Sequence, residues 1–235
     1  MGSLATALES FNRKERNLVV RDILGHAKDP LRLSDDFRKR VEAKVASLET
    51  IRADACWWTD YHINWLAGAL AMFIKGGAAL SDVPFPNPES SRRSTLIEGN
   101  QEDIDLVITT GDHLILIEAK AYGAFEIEQL RSKLARLDIL YKFYWELAGK
   151  SQPRVWFHFL LLSRRKPPES DLRCPAWTCE GMENRSEIPW IPLPLRDKTL
   201  KVTRCAEPGE RSDDKAFWRI REHNFRATAD LAPDD

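Results

Sequence analysis

Residues Asp105-Leu-Val-Ile-Thr-Thr-Gly-Asp-His-Leu-Ile-Leu-Ile-Glu118-Ala-Lys120 decide the fold of this chain, because they contain two apolar runs separated by a short break. The pattern predicts two strands of similar length, Asp103–Thr110 and His113–Lys120, joined by Gly111-Asp112. A two-residue loop that begins with Gly favours a hairpin, since Gly accepts the positive φ that primed turns require. We therefore predict a β-hairpin in the middle of the chain.

The hairpin determines which charged side chains lie opposite one another. If the two residues that flank the loop pair, subtraction places Asp105 opposite Glu118 and Asp103 opposite Lys120. Side chains alternate across a strand, so all four emerge on one face of the sheet. Directly opposed residues have Cβ atoms roughly 5 Å apart, and like charges at that spacing repel. Two facing carboxylates therefore indicate a site for a divalent cation. We expect this site on a solvent-facing rim of the sheet, where replacing Glu118 by Ala removes little packing and leaves the fold intact.

Further helices and strands are predicted around this hairpin. The chain has 235 residues, enough to bury a sizeable core as one domain. Apolar residues at helical spacing predict helices over 10–26, 34–50, 57–75 and 124–148. Strands are expected at 95–98 and 154–162, with weaker signals for edge strands at 190–195 and 200–204 and a last element at 216–224. The first and last of the four helices are expected to flank a mixed sheet.

The middle third of the chain resembles the PD-(D/E)xK nuclease superfamily. The resemblance rests on Asp105, on Glu118-Ala119-Lys120 at the end of the next strand, and on an amphipathic helix with Gln129 near its start. The chain departs from the family motif in having no Pro before the Asp. The resemblance implies an α/β fold with a restriction-endonuclease-like αβββαβ core and a mixed central sheet. Residues 1–235 would then form a single domain with its core at about 10–26 and 94–162, a two-helix insertion at about 34–76 and a C-terminal extension over 163–235.

Metal ligands follow from the chemistry of the hairpin residues. The carboxylates of Asp105 and Glu118 and the carbonyl of Ala119 offer hard oxygen ligands, which suit Mg²⁺ or Mn²⁺ better than zinc. Such an ion neutralises phosphate charge and lowers the pKa of a bound water. Lys120 is a compact cation able to orient the attacking water or stabilise charge on the phosphate.

Two supporting residues are implied by the resemblance alone. A Glu on an N-terminal helix often completes the family's site, and Glu15 is the candidate here. A Gln at the position of Gln129 supports the site or contacts DNA in RecB-like members. The function implied is that of a Mg²⁺-dependent endo- or exodeoxyribonuclease that hydrolyses phosphodiester bonds in DNA.

Blander interpretations of the same residues stay open. Glu102 and Asp103 are rivals to Asp105, and Lys120 suits an ion pair with Asp103. Glu15 suits a solvated surface, and Gln129 a plain position in the first turn of its helix. Two further sets of residues each have two interpretations. Phosphate contacts or a solvated face are open for three residues of the later helix: Arg131, Lys133 and Arg136. Substrate contacts or a buried polar cluster are open for three residues of the third helix: Asp60, His62 and Asn64.

Composition limits the function without deciding it. Lys and Arg number 35 against 36 Asp and Glu, so the net charge of -1 gives no global basic field, and phosphate-binding residues would have to cluster locally. The apolar runs are too short for a bilayer span, and we expect a cytoplasmic protein without membrane contact. Monomer and homodimer are both compatible with the sequence. Two rival functions remain: a nuclease-fold module that binds nucleic acid or protein without cutting, and an unrelated α/β interaction protein.

Overall fold

The computed structural model describes residues 3–23, 31–75, 84–88, 95–99, 102–149, 155–167, 172–195, 198–205 and 217–224. The elements in chain order are α1 Leu4–Phe11, α2 Glu15–Ile23, α3 Asp35–Glu42, β1 Cys56–His62, α4 Ile63–Ile74, β2 Asp103–Thr110, β3 His113–Lys120, α5 Ile127–Ala148, β4 Trp156–Ser163, α6 Cys179–Met182, β5 Trp190–Pro192, β6 Lys198–Cys205 and β7 Phe217–Asn224. None of the helices within these ranges is long and apolar enough to cross a membrane.

The centre of the molecule is a five-stranded mixed sheet in the order β1-β2-β3-β4-β5. Strand β2 runs antiparallel to both of its neighbours, β1 and β3, whereas β4 lies parallel to β3 and β5 lies parallel to β4. The parallel step from β3 to β4 needs a crossover, and α5 provides it. The predicted α/β class with a mixed central sheet is therefore confirmed.

The predicted hairpin is confirmed, and its register agrees with the prediction over the five pairs from Leu106–Ile117 to Thr110–His113. Thr110 pairs with His113, and the ladder continues without a slip to Leu106 and Ile117. Gly111 has φ +55°, the left-handed conformation for which a Gly at the start of the loop is suited. Beyond the last pair of the ladder, the next two positions are the candidate metal ligands.

Both faces of the sheet are buried. One face packs against α1, α4 and α5 in a core that includes Leu8, Leu70, Leu116 and Leu140. The other packs against α3 and the chain that follows it, in a core that includes Val41, Ile51, Ile115, Ile117 and Leu160. The expectation of a solvent-facing rim at the hairpin carboxylates is wrong, because α5 covers the face from which Glu118 emerges.

The predicted helix over 10–26 is two helices in the structure. The first ends at Phe11, where Asn12 caps it, and the Asn12 amide donates to Asn17 Oδ1 at 3.0 Å. The Asn12 Oδ1 also accepts from the Lys14 backbone N–H at 3.4 Å, and Asn side chains that bond the local backbone in this way favour turns over helices. Helix α1 packs against α4, and α4 packs on the sheet. Helix α2, in contrast, leaves its apolar residues exposed: Leu18, Val19, Val20 and Ile23. Residues 24–26 lie outside the described ranges.

The predicted helix over 57–75 begins as a strand. Residues 56–62 form β1, which pairs with β2, and the helix α4 starts only at Ile63. Strand β1 thus occupies the position in the sheet that was expected for a strand at residues 95–98. Those residues belong to none of the named strands. The helix over 34–50 starts as predicted, with the Ser34 hydroxyl accepting from the Phe37 amide, but it ends at Glu42. The two-helix insertion is therefore wrong, since one of its helices supplies a strand to the sheet.

The C-terminal predictions are confirmed as strands. Residues 190–192 form the short edge strand β5, and β6 and β7 pair antiparallel in a separate two-stranded sheet.

A buried chain of ionisable groups connects α6 to the hairpin. Glu180 Oε1 lies 2.7 Å from His158 Nδ1, and His158 Nε2 lies 2.8 Å from His113 Nδ1. The pKa of His113 is lowered below its ordinary value of 6.5, mainly by burial and to a smaller extent by the neighbouring His158. At His113 the folded state therefore binds fewer protons than the unfolded chain just below pH 6.5, so the contribution of this residue to stability falls with falling pH.

We expect His113→Asn to reduce the acid sensitivity of the fold. Asn removes the group that titrates while keeping a polar atom near the place of Nδ1. The free energy of unfolding, measured by urea denaturation at pH 7.5 and pH 5.5, should fall less on acidification in the variant than in the wild type. An equal fall in both proteins would contradict the assignment.

Candidate functional site

The candidate site lies at the end of the β2–β3 hairpin that is remote from its turn. Asp103 and Asp105 stand at the start of β2, and Glu118 and Lys120 stand at the end of β3. Because the confirmed ladder ends at Leu106, the acidic groups come directly after the last regular pair of the hairpin. The sequence thus brings three carboxylates to one end of the sheet.

Asp105 is tied to the opposite strand through its side chain. Its Oδ2 accepts a hydrogen bond from the backbone N–H of Ala119 at 2.7 Å. This bond holds the Asp105 carboxylate beside the residue that follows Glu118. The negative charge of Asp105 acts to raise the pKa of Glu118, as expected of neighbouring carboxylates.

Glu118 is a buried acid with one close cation. The residue is 7% exposed, and Lys133 Nζ of α5 lies 2.7 Å from its Oε1. Burial raises the pKa of Glu118 to about 7, although Lys133 acts in the opposite direction. Near neutral pH this carboxyl is therefore poised between its protonated and charged forms, and a bound cation would favour the charged form.

Two lysines, one just before α2 and one in α5, hold Asp103. Lys14 Nζ, just before α2, forms an ion pair with Asp103 Oδ2, and Lys133 Nζ donates to the Asp103 carbonyl at 2.7 Å. The expected ion pair between Asp103 and Lys120 is therefore replaced by one with Lys14. Asp103 Oδ1 is buried, and the described residues offer it no hydrogen-bond partner.

The other predicted site residues occupy different environments. Lys120 is half-buried at the end of β3, opposite Ser163 of β4. Gln129 is exposed in the first turn of α5. Glu15 is exposed as the first residue of α2, and within the described ranges no three acidic, His or Cys side chains converge to hold a metal. The structure thus places Asp103, Asp105 and Glu118 at one end of the hairpin, but among the described residues it does not gather them into one metal-holding group.

The cations of α5 have roles that differ from the phosphate contacts considered above. Lys133 and Arg136 are 7% and 1% exposed, so they point inward and cannot contact a phosphate from the surface. Arg136 donates to the Leu96 carbonyl, and Arg131 forms an ion pair with the exposed Glu128. A signal for this was present: Leu130, Lys133 and Leu137 occupy one helical stripe, which places Lys133 on the apolar face of α5.

Asp60 lies close to the candidate site, because it belongs to a strand and not to the predicted helix. It stands in β1 between Thr59, which pairs with Leu106, and Tyr61, which pairs with Ile104, and so it lies beside Asp105. Its φ of +51° is rare outside glycine and marks local backbone strain, which is found often at functional sites.

The other two polar residues of that predicted helix lie apart from Asp60. His62 pairs with Asp103 across the ladder, and burial lowers its pKa. Asn64 donates to the Glu98 carbonyl and accepts from Arg136. The expected shared helix face of Asp60 and Asn64 is wrong, because a strand ends and a helix begins between them.

The donor set at the hairpin end fits a hard divalent cation that is completed by other ligands. Asp105 and Glu118 supply carboxylate oxygens and Ala119 a carbonyl. Mg²⁺ keeps several waters and is commonly bound by one or two carboxylates together with substrate phosphates. A fixed cage of protein ligands is therefore unnecessary.

Comparison with known proteins does not assign the chain to a family. A scan against protein-family models, a search of curated proteins and a search of solved structures each find no match.

Proposed function

We propose that the chain is a Mg²⁺-dependent nuclease that hydrolyses phosphodiester bonds in DNA. The observation that carries this proposal is the hydrogen bond from the Ala119 N–H to Asp105 Oδ2, which keeps two carboxylates adjacent at the end of a sheet. Burial raises the pKa of Glu118 most, and the negative charge of Asp105 adds to that effect, so the charged pair is unfavourable in the absence of a cation. Cation binding offsets that repulsion.

The strand order also supports the proposal. Three antiparallel strands, a crossover helix and a parallel fourth strand resemble the βββαβ part of the core that the resemblance implies, with the helix α4 added between the first two strands. In that arrangement the motif residues lie on the second and third strands, as Asp105 and Glu118 do here.

Asp105, Glu118 and the Ala119 carbonyl would hold the metal ion. When bound, Mg²⁺ neutralises phosphate charge, lowers the pKa of a bound water and steadies the leaving oxygen. Lys133 balances the charge of Glu118 when no cation is present, and it orients that carboxylate through its second contact with the Asp103 carbonyl.

Lys120 supplies the remaining positive charge. It follows the two ligands on β3 and is half-buried, so part of its side chain remains accessible to a substrate. We assign to it the orientation of the attacking water and the stabilisation of charge on the phosphate.

Asp105→Asn tests the proposal directly. The amide keeps the size of the side chain but binds a cation far more weakly, so Mg²⁺-dependent cleavage should fall by at least about a hundredfold. Supercoiled plasmid, linear duplex and single-stranded DNA would be incubated with Mg²⁺ or EDTA, which separates endonuclease from exonuclease products. Asp112→Asn, an exposed position in the turn of the same hairpin, is the matched control and should retain wild-type activity. Equal cleavage by the wild type and Asp105→Asn would refute the metal site.

A second function is favoured by one observation. Lys133 already lies against Glu118, which is the arrangement expected if an ammonium group has replaced the metal of an ancestral site. The chain would then bind nucleic acid without cutting it. Binding of DNA by the wild type, with no cleavage in Mg²⁺ or Mn²⁺ and no effect of Asp105→Asn, would select this alternative.

A further inference from the structure

The β6–β7 ribbon, residues 198–205 and 217–224, has one strongly basic face. In its register Lys201 lies directly opposite Arg221, and Thr203 lies opposite Arg219. Lys201, Arg219 and Arg221 therefore emerge on the same side, and all three are exposed. We call these three residues the cationic face.

The cationic face has no neutralising partner in the described part of the chain. None of its three side chains forms an ion pair with a described residue, and the other described side chains on that side are uncharged: Thr203, Cys205 and Phe217. Like charges placed directly opposite each other destabilise a ribbon. Lys201 and Arg221 are such a pair, so the face is suited to an anion from outside the chain.

The chain leaves the central sheet for the ribbon at the edge on which the candidate site lies. In the parallel half of the sheet, Lys120 is level with Ser163, and Ser163 is level with Pro192 at the end of β5. Pro192 is thus two strands from Lys120, about 10 Å. Only residues 193–197 connect Pro192 to the ribbon. Because an extended chain spans at most about 3.6 Å per residue, this short connection limits how far the ribbon can begin from Pro192.

We propose that the cationic face binds the phosphodiester backbone of the DNA substrate and guides it to the hairpin carboxylates. The inference rests on the proposed function for the identity of the substrate. Arg and Lys side chains bind phosphate through charge-assisted hydrogen bonds, and such contacts position nucleic acid without reading its sequence. A net charge of -1 excludes a global basic field, so a local cluster of this kind is the form that DNA binding would take.

The test separates binding from cleavage by measuring fluorescence anisotropy in EDTA. The full chain and its Lys201→Gln/Arg219→Gln/Arg221→Gln variant would bind labelled duplex and single-stranded DNA of one sequence, over a range of salt concentrations. Loss of three phosphate contacts should weaken binding at least tenfold and lower the slope of log K against log salt by about 2 to 3. The duplex and single-strand arms identify which form of backbone the ribbon prefers.

Two controls test whether the effect belongs to the cationic face. Lys39→Gln/Arg52→Gln/Lys142→Gln removes three exposed positive charges elsewhere and should leave the salt slope unchanged. Arg219→Lys/Arg221→Lys keeps the charge of the ribbon and should retain most of the affinity, so a mere folding defect is distinguished.

The outcomes distinguish the ribbon from the nuclease site. Unchanged affinity and salt slope in the triple Gln variant overturn the inference, even if the wild type cleaves DNA. Loss of binding in that variant supports the inference, even if no cleavage is found in Mg²⁺ and the proposed function fails. Absence of DNA binding by the wild type overturns it outright.

Discussion

Glu118→Gln is expected to reduce Mg²⁺-dependent DNA cleavage by more than about a hundredfold, because even outer partners of metal ligands cost about 10–100-fold when they are removed. The amide keeps the shape of the side chain but supplies no negative charge to a cation. The reduction would be measured from initial rates at saturating Mg²⁺ on the substrate that the wild type cleaves best. An apparent Mg²⁺ affinity that falls together with the rate would identify Glu118 as a ligand.

Gln is the informative replacement because Glu118 is buried against Lys133. Glu118→Ala would leave the Lys133 ammonium inside the protein with only the Asp103 carbonyl nearby. Breaking a buried ion pair by removing one partner costs about 3–5 kcal/mol. The sequence-based expectation that Ala leaves the fold intact assumed an exposed side chain, whereas Glu118 is buried. We therefore expect Glu118→Ala to destabilise the fold, and loss of activity in that variant would be ambiguous.

Two controls support the interpretation of Glu118→Gln. Glu128→Gln makes the same chemical change on an exposed side chain at the start of α5, and it should cleave at the wild-type rate. Glu118→Gln/Lys133→Met removes both charges of the buried pair and separates effects on stability from effects on metal binding. Cleavage by Glu118→Gln at the wild-type rate would contradict the metal assignment.

The hairpin was predictable because its signals are local. The apolar runs, Gly111 and the register all depend on residues within one short segment, and burial of both faces resists a slip. The register in turn predicts from the sequence alone that Asp105 lies next to Glu118. A sequence pattern that depends only on nearby residues predicts the same local structure whatever the packing of the rest of the chain.

The strand β1 was mistaken for a helix for a physical reason. Trp58 and Tyr61 are three residues apart and both pack into the same core, which imitates helical spacing. In a regular strand they would face opposite sides. The positive φ at Asp60 lies between them and changes the alternation, as a bulge does. Periodicity alone cannot distinguish an irregular strand from a short helical segment.

The electrostatics of the site could not be predicted because they depend on distant segments. Lys14 reaches Asp103 from the N-terminal part of the chain, and Lys133 reaches Glu118 from α5. Both contacts require the helices to pack on the sheet in one particular way. The sequence indicated the acids, whereas only the packing of the helices determines which cations neutralise them.

Arg136→Met is expected to destabilise the fold by about 3–5 kcal/mol, since it removes one partner from a buried charged network. Arg136 is 1% exposed, and its Nε and Nη2 donate to the Leu96 carbonyl at 3.1 and 3.0 Å. It also donates to Asn64 Oδ1 and pairs with Glu102 at 3.4 Å. Met fills a similar volume but leaves these acceptors without their donor. Urea denaturation would measure the loss.

The controls for Arg136 separate its charge from its shape. Arg131→Met removes an Arg from the exposed side of the same helix and should cost less than about 1 kcal/mol. Arg136→Lys keeps the positive charge but lacks the planar fork that bonds Leu96 and Asn64 together, so its cost should lie between those of the two Met variants. A loss below 1 kcal/mol in Arg136→Met would show that the network contributes little. Because Arg136 links β2 to α4 and α5 through Glu102, Asn64 and its own helix, a large loss would mean that the start of the acidic strand is held in place by a buried cation.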